Sequence, residues 1–321
     1  MKLAGIHHVT AVTANPGANL AFYTRTLGLR LVKKTVNQDD VSAFHLFYAD
    51  GTGSPGTDMT FFDWPVPPER RGTGSIVRTG FRLGDEASLE WWARRLTDAG
   101  VAHSGVRALD GRASLDFEDG EGQRLGVVVE GGAREPARPW ARSPVPPEYQ
   151  PRGLGPVRLS VRKLEPTDQV LTSVMNLRRV REFNDEDSAV VQVYEMGEGG
   201  AGAELQVVVE PGRQPARQGA GGVHHVAFRT TAADFAAWAD RLEALGVSSS
   251  GPVDRYYFRS LYFREPNGIL FEIATDEPGF AVDEPEGELG ERLALPPFLE
   301  ARRKEIEAGL DQAILNPPAG S

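Results

Sequence analysis

One plan occurs four times along this chain of 321 residues, and it limits the fold more than any other feature does. Each copy opens on a short alternating strand. A helical segment of about three turns follows and closes on a glycine. Two or three further strands end the copy, the last of them rich in Val, Ile or Phe. The first copy starts at IHHVTAVT. Its helix is expected from Pro16 to Thr26, with Asn15 as N-cap, proline at the first helical position and Gly28 as the stop. Its late strands include VSAFHLFYAD and TDMTFFDW, separated by the turn-rich GTGSPG. The second starts near VRTGFRLG, carries a helix from about Ala87 to Ala99 before Gly100, and ends in RLGVVVEG. The third runs from GPVRLSVR to ELQVVVEP. The fourth starts at VHHVAFRT, has a helix from about Ala233 to Leu245 stopped by Gly246, and ends in GILFEIAT. In that helix Phe235, Trp238, Leu242 and Leu245 recur at three or four residues, the spacing of one buried stripe.

Each unit is thus β-α-β-β-β, and the fold class is α+β. Such a unit buries one sheet face under its helix and leaves the other curved and open, so units must pair before their open faces enclose anything. The segment from Gly131 to Gly153 is rich in Pro, Gly and Arg and cannot be regular throughout. It divides the chain into two expected paired-module domains, 1–135 and 153–275, joined by a linker over 136–152. Residues 276–321 supply an acidic loop and then, after Pro296-Pro297, a helix running through LEARRKEIEAGLDQAIL.

Composition removes several function classes. There is no cysteine, so disulfides, thiolate catalysis, zinc fingers and iron–sulfur clusters are excluded, and any metal must rest on His, Asp or Glu. The net charge of −10 argues against nucleic acid as partner, because that binding rests on neutralising phosphates with Lys and Arg. No apolar run approaches the roughly 20 residues of a membrane helix. The opening MKLAGIHHVTAV lacks the apolar core of a signal peptide, which leads to the expectation of a cytoplasmic protein.

Four of the six histidines form two doublets, His7-His8 and His224-His225, in the same slot of units one and four. Repeat ancestry alone is a weak explanation, because units two and three have no histidine there. Alternate residues of a strand face opposite ways. His224, Val226 and Phe228 share one face, and His225 shares the other with Ala227 and Arg229. His7, Val9 and Ala11 share a face, and His8 falls with Thr10. The second histidine of each pair therefore lies on the more polar, open face, which selects His8 and His225 as metal ligands. Glu272 stands on the face of GILFEIAT opposite Ile269, Phe271 and Ile273. A carboxylate embedded in an apolar strand needs a partner. An arginine would serve, but a metal shared with His225 of the same unit fits better. Two imidazoles and one carboxylate form the facial triad typical of non-haem Fe(II), with Mn(II) as the other candidate.

The set of segments HHVT (7–10), FHLFYADGTGSPGTDMTFFDWP (44–65), SLEWW (88–92), HHVAF (224–228) and LYFREPNGILFE (261–272) resembles the vicinal-oxygen-chelate superfamily, which includes glyoxalases, extradiol dioxygenases and bleomycin-resistance proteins. The likeness is nearest to its ring-cleaving dioxygenases acting on hydroquinones, and it spans nearly the whole chain. It implies a small aromatic substrate, dioxygen as co-substrate and a homo-oligomer. It also implies that Thr10, His7, His224, Arg255 and Tyr262 surround the pocket. A three-residue hairpin loop at Pro266-Asn267-Gly268, with Gly268 left-handed, would set Tyr262 opposite Glu272. Strand parity points His7 and His224 away from the cavity. Two other readings stay open. A glyoxalase-like lyase or isomerase would call for a fourth ligand, for which Glu130 and Glu210 are poor candidates because their units lack the doublet. A metal-free small-molecule-sequestering protein would have no reason to hold a complete triad.

Overall fold

The computed structural model describes residues 1–130 and 136–316, so the first five residues of the linker segment, 131–135, lie outside the described residues. Four β-α-β-β-β units follow one another. The first comprises β1 (Ile6–Thr13), α1 (Pro16–Ala21, continued by a π-helical turn over Phe22–Thr26), β2 (Arg30–Asn37), β3 (Asp40–Ala49) and β4 (Asp58–Asp63). The second comprises β5 (Ser75–Leu83), α2 (Glu86–Asp98), β6 (Arg107–Leu109), β7 (Arg112–Glu118) and β8 (Arg124–Val129). The third comprises β9 (Leu154–Val161), α3 (Leu164–Gln169, continued by a π-helical turn over Val170–Val174), β10 (Arg178–Asn184), β11 (Val190–Glu195) and β12 (Glu204–Val209). The fourth comprises β13 (Val223–Thr230), α4 (Ala232–Ala244), β14 (Ser249–Asp254), β15 (Phe258–Arg264) and β16 (Leu270–Pro278).

Local chemistry explains the helices. Asn15, Asp85 and Thr231 cap α1, α2 and α4 by accepting from the backbone N–H three residues on. Gly100 and Gly246, at φ 71° and 68°, take the left-handed turn that ends α2 and α4. Phe235, Trp238 and Leu242 of α4 are fully buried, whereas Leu245, at the C-cap, is 51% exposed and does not join the stripe. Each such fully buried large apolar side chain contributes about 1.5–3 kcal/mol. The helices cover the outer faces of the sheets and leave the inner faces to line cavities.

The pairing of units differs from the expected halves. One eight-stranded sheet runs β14-β15-β16-β13-β1-β4-β3-β2 and the other β10-β11-β12-β9-β5-β8-β7-β6. Unit one therefore joins unit four, and unit two joins unit three. Neither sheet is confined to residues 1–135 or 153–275, because β1 pairs with β13 and β5 with β9 across the linker. Within each unit the last strand lies parallel to the first, so the first strand's free edge faces outward and seeks a like edge in another unit. Composition gives no clue to which unit supplies it.

The tail after Thr275 is not one long helix. A 3-10 segment (Pro297–Arg302) leads into α5 (Arg303–Gly309), and α6 (Gln312–Leu315) starts afresh with Asp311 as its cap. Leu310, extended between them, breaks the helix. No helix among the described residues is long and apolar enough to cross a membrane. Earlier in the tail, Phe280 and Leu289 plug one end of the first sheet's inner face against Val32, Phe47 and Tyr257. Lys33, completely buried on that face, donates to Asp283 (2.6 Å), to Glu284 and to the Phe280 carbonyl (3.1 Å).

Removing only the cation would take the close counter-charge from two carboxylates, one of them fully buried. Lys33→Met is expected to lower the free energy of unfolding by about 3–5 kcal/mol. The readout is a lower urea midpoint at unchanged slope. An unshifted midpoint would show that the tail is not held by this charge.

Candidate metal centre

His8 on β1, His225 on β13 and Glu272 on β16 meet on the inner face of the first sheet. The β1–β13 pairing sets Val9 opposite Val226, His8 opposite Ala227 and Thr10 opposite His225. The parallel β13–β16 pairing sets Ala227 beside Glu272. His8 Nε2 and His225 Nε2 are 3.2 Å apart, and they lie 3.2 and 2.9 Å from Glu272 Oε2. All three side chains are buried.

Strand parity alone would turn His7 and His224 outward, and the structure shows why it fails. The register slips once between Ile6 and His8, leaving His7 as an extra residue on β1, and once between Thr10 and Ala11, leaving His224 as an extra residue on β13. A bulge of this kind breaks the alternation locally. His7 Nδ1 lies 2.8 Å from His8 Nδ1, and His224 Nδ1 lies 2.8 Å from His225 Nδ1. Both doublets thus carry the same device, one at each end of the pair.

The hydrogen bonds fix where the protons lie. His7 Nε2 is 3.2 Å from the Thr275 carbonyl, which can only accept, so that nitrogen carries the proton. Burial, with the adjacent His8, pushes the His7 pKa down to about 3, so the ring is neutral and its Nδ1 is a lone pair. His8 must then donate from Nδ1. A His8 ring that donates from Nδ1 presents its Nε2 lone pair to the centre, and the His225–His224 contact has the same Nδ1–Nδ1 length. His224 is likewise held neutral, at about 3, by burial and by His225. The charge on the buried Glu272 needs a counter-charge beside it. Its Oε1 accepts from Ser260 Oγ at 2.5 Å, while Oε2 has no aligned donor. Three electron-rich atoms thus converge within 3.2 Å. They repel one another unless a cation lies between them, and two imidazoles with one carboxylate suit a divalent first-row metal. Outer partners that orient each imidazole are the usual accompaniment of such a centre.

Tyr262 lies opposite Glu272, as expected. The loop Pro266-Asn267-Gly268 is closed by Glu265 N–H to the Ile269 carbonyl (3.0 Å), with Gly268 at φ 95°. Burial and the Glu272 charge push the Tyr262 phenol up, so it stays protonated. Arg255 donates to Tyr262 Oη (3.3 Å) and pairs with Asp39 (2.8 Å). The cavity before the centre is lined by His8, His225, Tyr262 and Arg255 on one side and by His45, Phe47 and Phe62 on the other. Thr10 is not on its wall: it is fully buried, and its hydroxyl bonds Thr60 Oγ1 at 2.8 Å. Two site residues escaped the sequence reading. His45 alternates with the inward Phe47 and Ala49, and Ser260 shares the parity of Tyr262; parity could have found both.

Comparison with known proteins agrees with this arrangement. The family model described as Glyoxalase/Bleomycin resistance protein/Dioxygenase superfamily matches residues 5–126 and 153–273. MhqA of Bacillus subtilis strain 168, which carries the name of a ring-cleaving dioxygenase, is 46% identical over 97% of this chain and 99% of its own length. The chlorohydroquinone/hydroquinone 1,2-dioxygenase of Sphingobium indicum is 31% identical over 98% of both chains. A crystal structure of a Bacillus subtilis protein described as a dioxygenase superposes with a TM-score of 0.89 at 35% identity, covering 97% of each chain. Glyoxalase I from Zea mays shares the fold, with a TM-score of 0.61 at 14% identity over 85% of this chain and 92% of that one. The chain therefore belongs to the Glyoxalase/Bleomycin resistance protein/Dioxygenase superfamily and is an enzyme of its ring-cleaving dioxygenase branch.

Proposed function

We propose that the enzyme uses Fe(II), held by His8, His225 and Glu272, to cleave a dihydroxylated aromatic ring of hydroquinone or catechol type with dioxygen. Mn(II) is the other metal that this donor set would take. The observation that carries the reading is the convergence of two imidazole lone pairs and one carboxylate oxygen. The identity to the hydroquinone dioxygenase supports the substrate class. An iron ion held by these three residues would supply the redox chemistry that lets an electron-rich ring react with dioxygen.

A specific feature argues against glyoxalase-type chemistry. The pairing of β1 with β13 relates unit one to unit four about Val9 and Val226, so that His8 matches His225 and Thr10 matches Ala227. Since Ala227 lies beside Glu272 and Thr10 beside Thr60, the place equivalent to Glu272 in unit one is Thr60. Its hydroxyl bonds Thr10 and His45. The protein thus offers three ligands and leaves room for two reactants.

The surrounding residues have separable roles. The Tyr262 phenol, kept protonated, donates a hydrogen bond to a substrate oxygen, and Arg255 offsets negative charge developing there. His7 and His224 hold the proton on Nδ1 of each ligand imidazole. Thr10 acts from behind the wall through Thr60. Phe47, Phe62 and Phe258 exclude water and bracket a flat ring. In the overall step one ring carbon–carbon bond beside a hydroxylated carbon breaks, and both atoms of dioxygen end on carbon, reduced by the ring's electrons. The product is a ring-opened keto-acid or an acyl derivative.

Two measurements test this. Titration of metal-free protein with Fe(II) or Mn(II) is expected to raise the melting temperature in a saturable way. Glu272→Gln should abolish the rise, and His7→Phe should weaken binding about 10–100-fold. An unaltered titration in Glu272→Gln would sink the ligand assignment. After anaerobic loading with Fe(II), oxygen uptake with catechols and hydroquinones is expected at one O2 per ring opened and is expected to vanish in His225→Ala. A metal-loaded protein that takes up no oxygen with any ring would overturn the dioxygenase chemistry.

A further inference from the structure

The cavity carries polar groups from two parts of the sheet: His8, His225, Tyr262 and Arg255 on one side, and Thr35, Asn37 and His45 from β2 and β3 on the other. His45 belongs to β3, three strands from β13 in the order β13-β1-β4-β3. At about 4.8 Å per strand this is roughly 14 Å along the curved sheet, and the inward side chains converge across it. The ring is held firmly. It packs on Phe47 and Phe62 with centroids 4.0 and 4.5 Å away, and Nε2 bonds Thr60 Oγ1 at 3.0 Å. Thr60 is anchored in turn by Thr10 at 2.8 Å. Nδ1 has no hydrogen-bond partner among the described residues, whereas Nε2 is taken by Thr60. It is also absent from the fully enclosed unpaired atoms, which leaves it facing the cavity. Burial holds this ring neutral, so Nδ1 can take part in one directed hydrogen bond.

We propose that His45 binds, through Nδ1, the hydroxyl of the substrate ring that points away from the His8–His225–Glu272 centre, and so makes the site prefer a para-dihydroxylated ring to an ortho one. The inference rests on the ring-cleaving reading above and narrows it. A flat ring with hydroxyls at opposite ends satisfies both polar sides at once. A catechol places both oxygens at one end and leaves Nδ1 without a partner on the ring. An unmet buried hydrogen-bonding group disfavours the wrong ligand by roughly ten- to a hundredfold.

The experiment is anaerobic calorimetric titration of the Fe(II)-loaded protein with hydroquinone, catechol and phenol, followed by aerobic kcat/KM for the two diols. Three variants separate the two sides of the imidazole. His45→Asn retains a polar group near the Nδ1 position. His45→Gln retains one near Nε2, toward Thr60. His45→Phe retains only the packing. Wild-type protein is expected to bind hydroquinone more tightly than phenol. His45→Gln and His45→Phe should lose about ten- to a hundredfold for hydroquinone while phenol binding and metal content stay put, and His45→Asn should keep most of the preference. Equal weakening for hydroquinone and phenol, or no weakening in His45→Gln and His45→Phe, would overturn the assignment of His45 and leave the dioxygenase reading standing. Wild-type protein that binds no ring and consumes no oxygen with either diol would overturn the ring-cleaving reading itself.

Discussion

The antiparallel pairing of β1 with β13 is the contact on which the rest depends. It joins segments more than two hundred residues apart, with Val9 opposite Val226 at its middle. That pairing fuses two four-stranded units into one curved sheet. It also brings one histidine from each end of the chain to the same place. The two register slips that flank Val9 and Val226 then turn His7 and His224 from outward-facing strand residues into partners of His8 and His225. A regular ladder would have put both doublets' first members on the helix side, among Val9, Val226 and Phe228, where an imidazole has nothing to bond. The irregularity is therefore part of the centre's chemistry.

The second sheet shows what the same scaffold does without the histidines. β5 and β9 pair with the same slip, between Ile76 and Arg78, and Thr79 opposite Val157 corresponds to Val9 opposite Val226. By that register Arg78 stands where His8 does, Pro156 where His225 does, and Gln206, beside Arg158, where Glu272 does. No set of lone pairs can assemble from those residues. Arg78 pairs with Asp116 at 2.6 Å, and Arg158 donates twice to Gln206. Gly126 lies against the Arg78–Asp116 pair so closely that a Cβ there would collide with both side chains. Charge pairing takes the place of the centre, and the duplicated fold carries one cluster of metal-ligating type among its described residues.

Legibility followed the range of the interaction. Helix ends were readable because caps and left-handed glycines act within a few residues: Asn15, Gly28, Gly100 and Gly246 do what their types require. The opposition of Tyr262 and Glu272 was readable because a three-residue loop fixes register. The choice of His8 and His225 over their neighbours followed from parity and agrees with where the three donors converge. What parity could not supply was the bulges, which depend on a partner strand far away in sequence. Nor could it supply the joining of unit one to unit four, since every unit offers a similar free edge. Thr10 was placed on the right face, but β4 covers its hydroxyl, so it meets Thr60 instead of the cavity.

The tail is the least repetitive part of the chain, yet it reaches the centre by a short physical route. Tyr256 sits at φ 69°, a left-handed conformation that disfavours a bulky side chain by about 1–3 kcal/mol. Such a turn persists only where its neighbours hold it. Here Tyr257 Oη bonds Asp283 at 2.9 Å, the Tyr257 ring packs on Phe280, and Lys33 lies over that ring while binding Asp283 and Glu284. The next residue, Phe258, rests its ring 5.3 Å from His7 and 5.2 Å from His8. On the other side of the same turn Arg255 reaches Tyr262 and Asp39. A single strained turn thus presses one aromatic ring against the first histidine doublet and aims one cation at the cavity. The buried charges that fasten it come from β2 and from the acidic loop. The motif residues supply the donor atoms, and this unrepeated loop supplies the aromatic ring and the cation that border them.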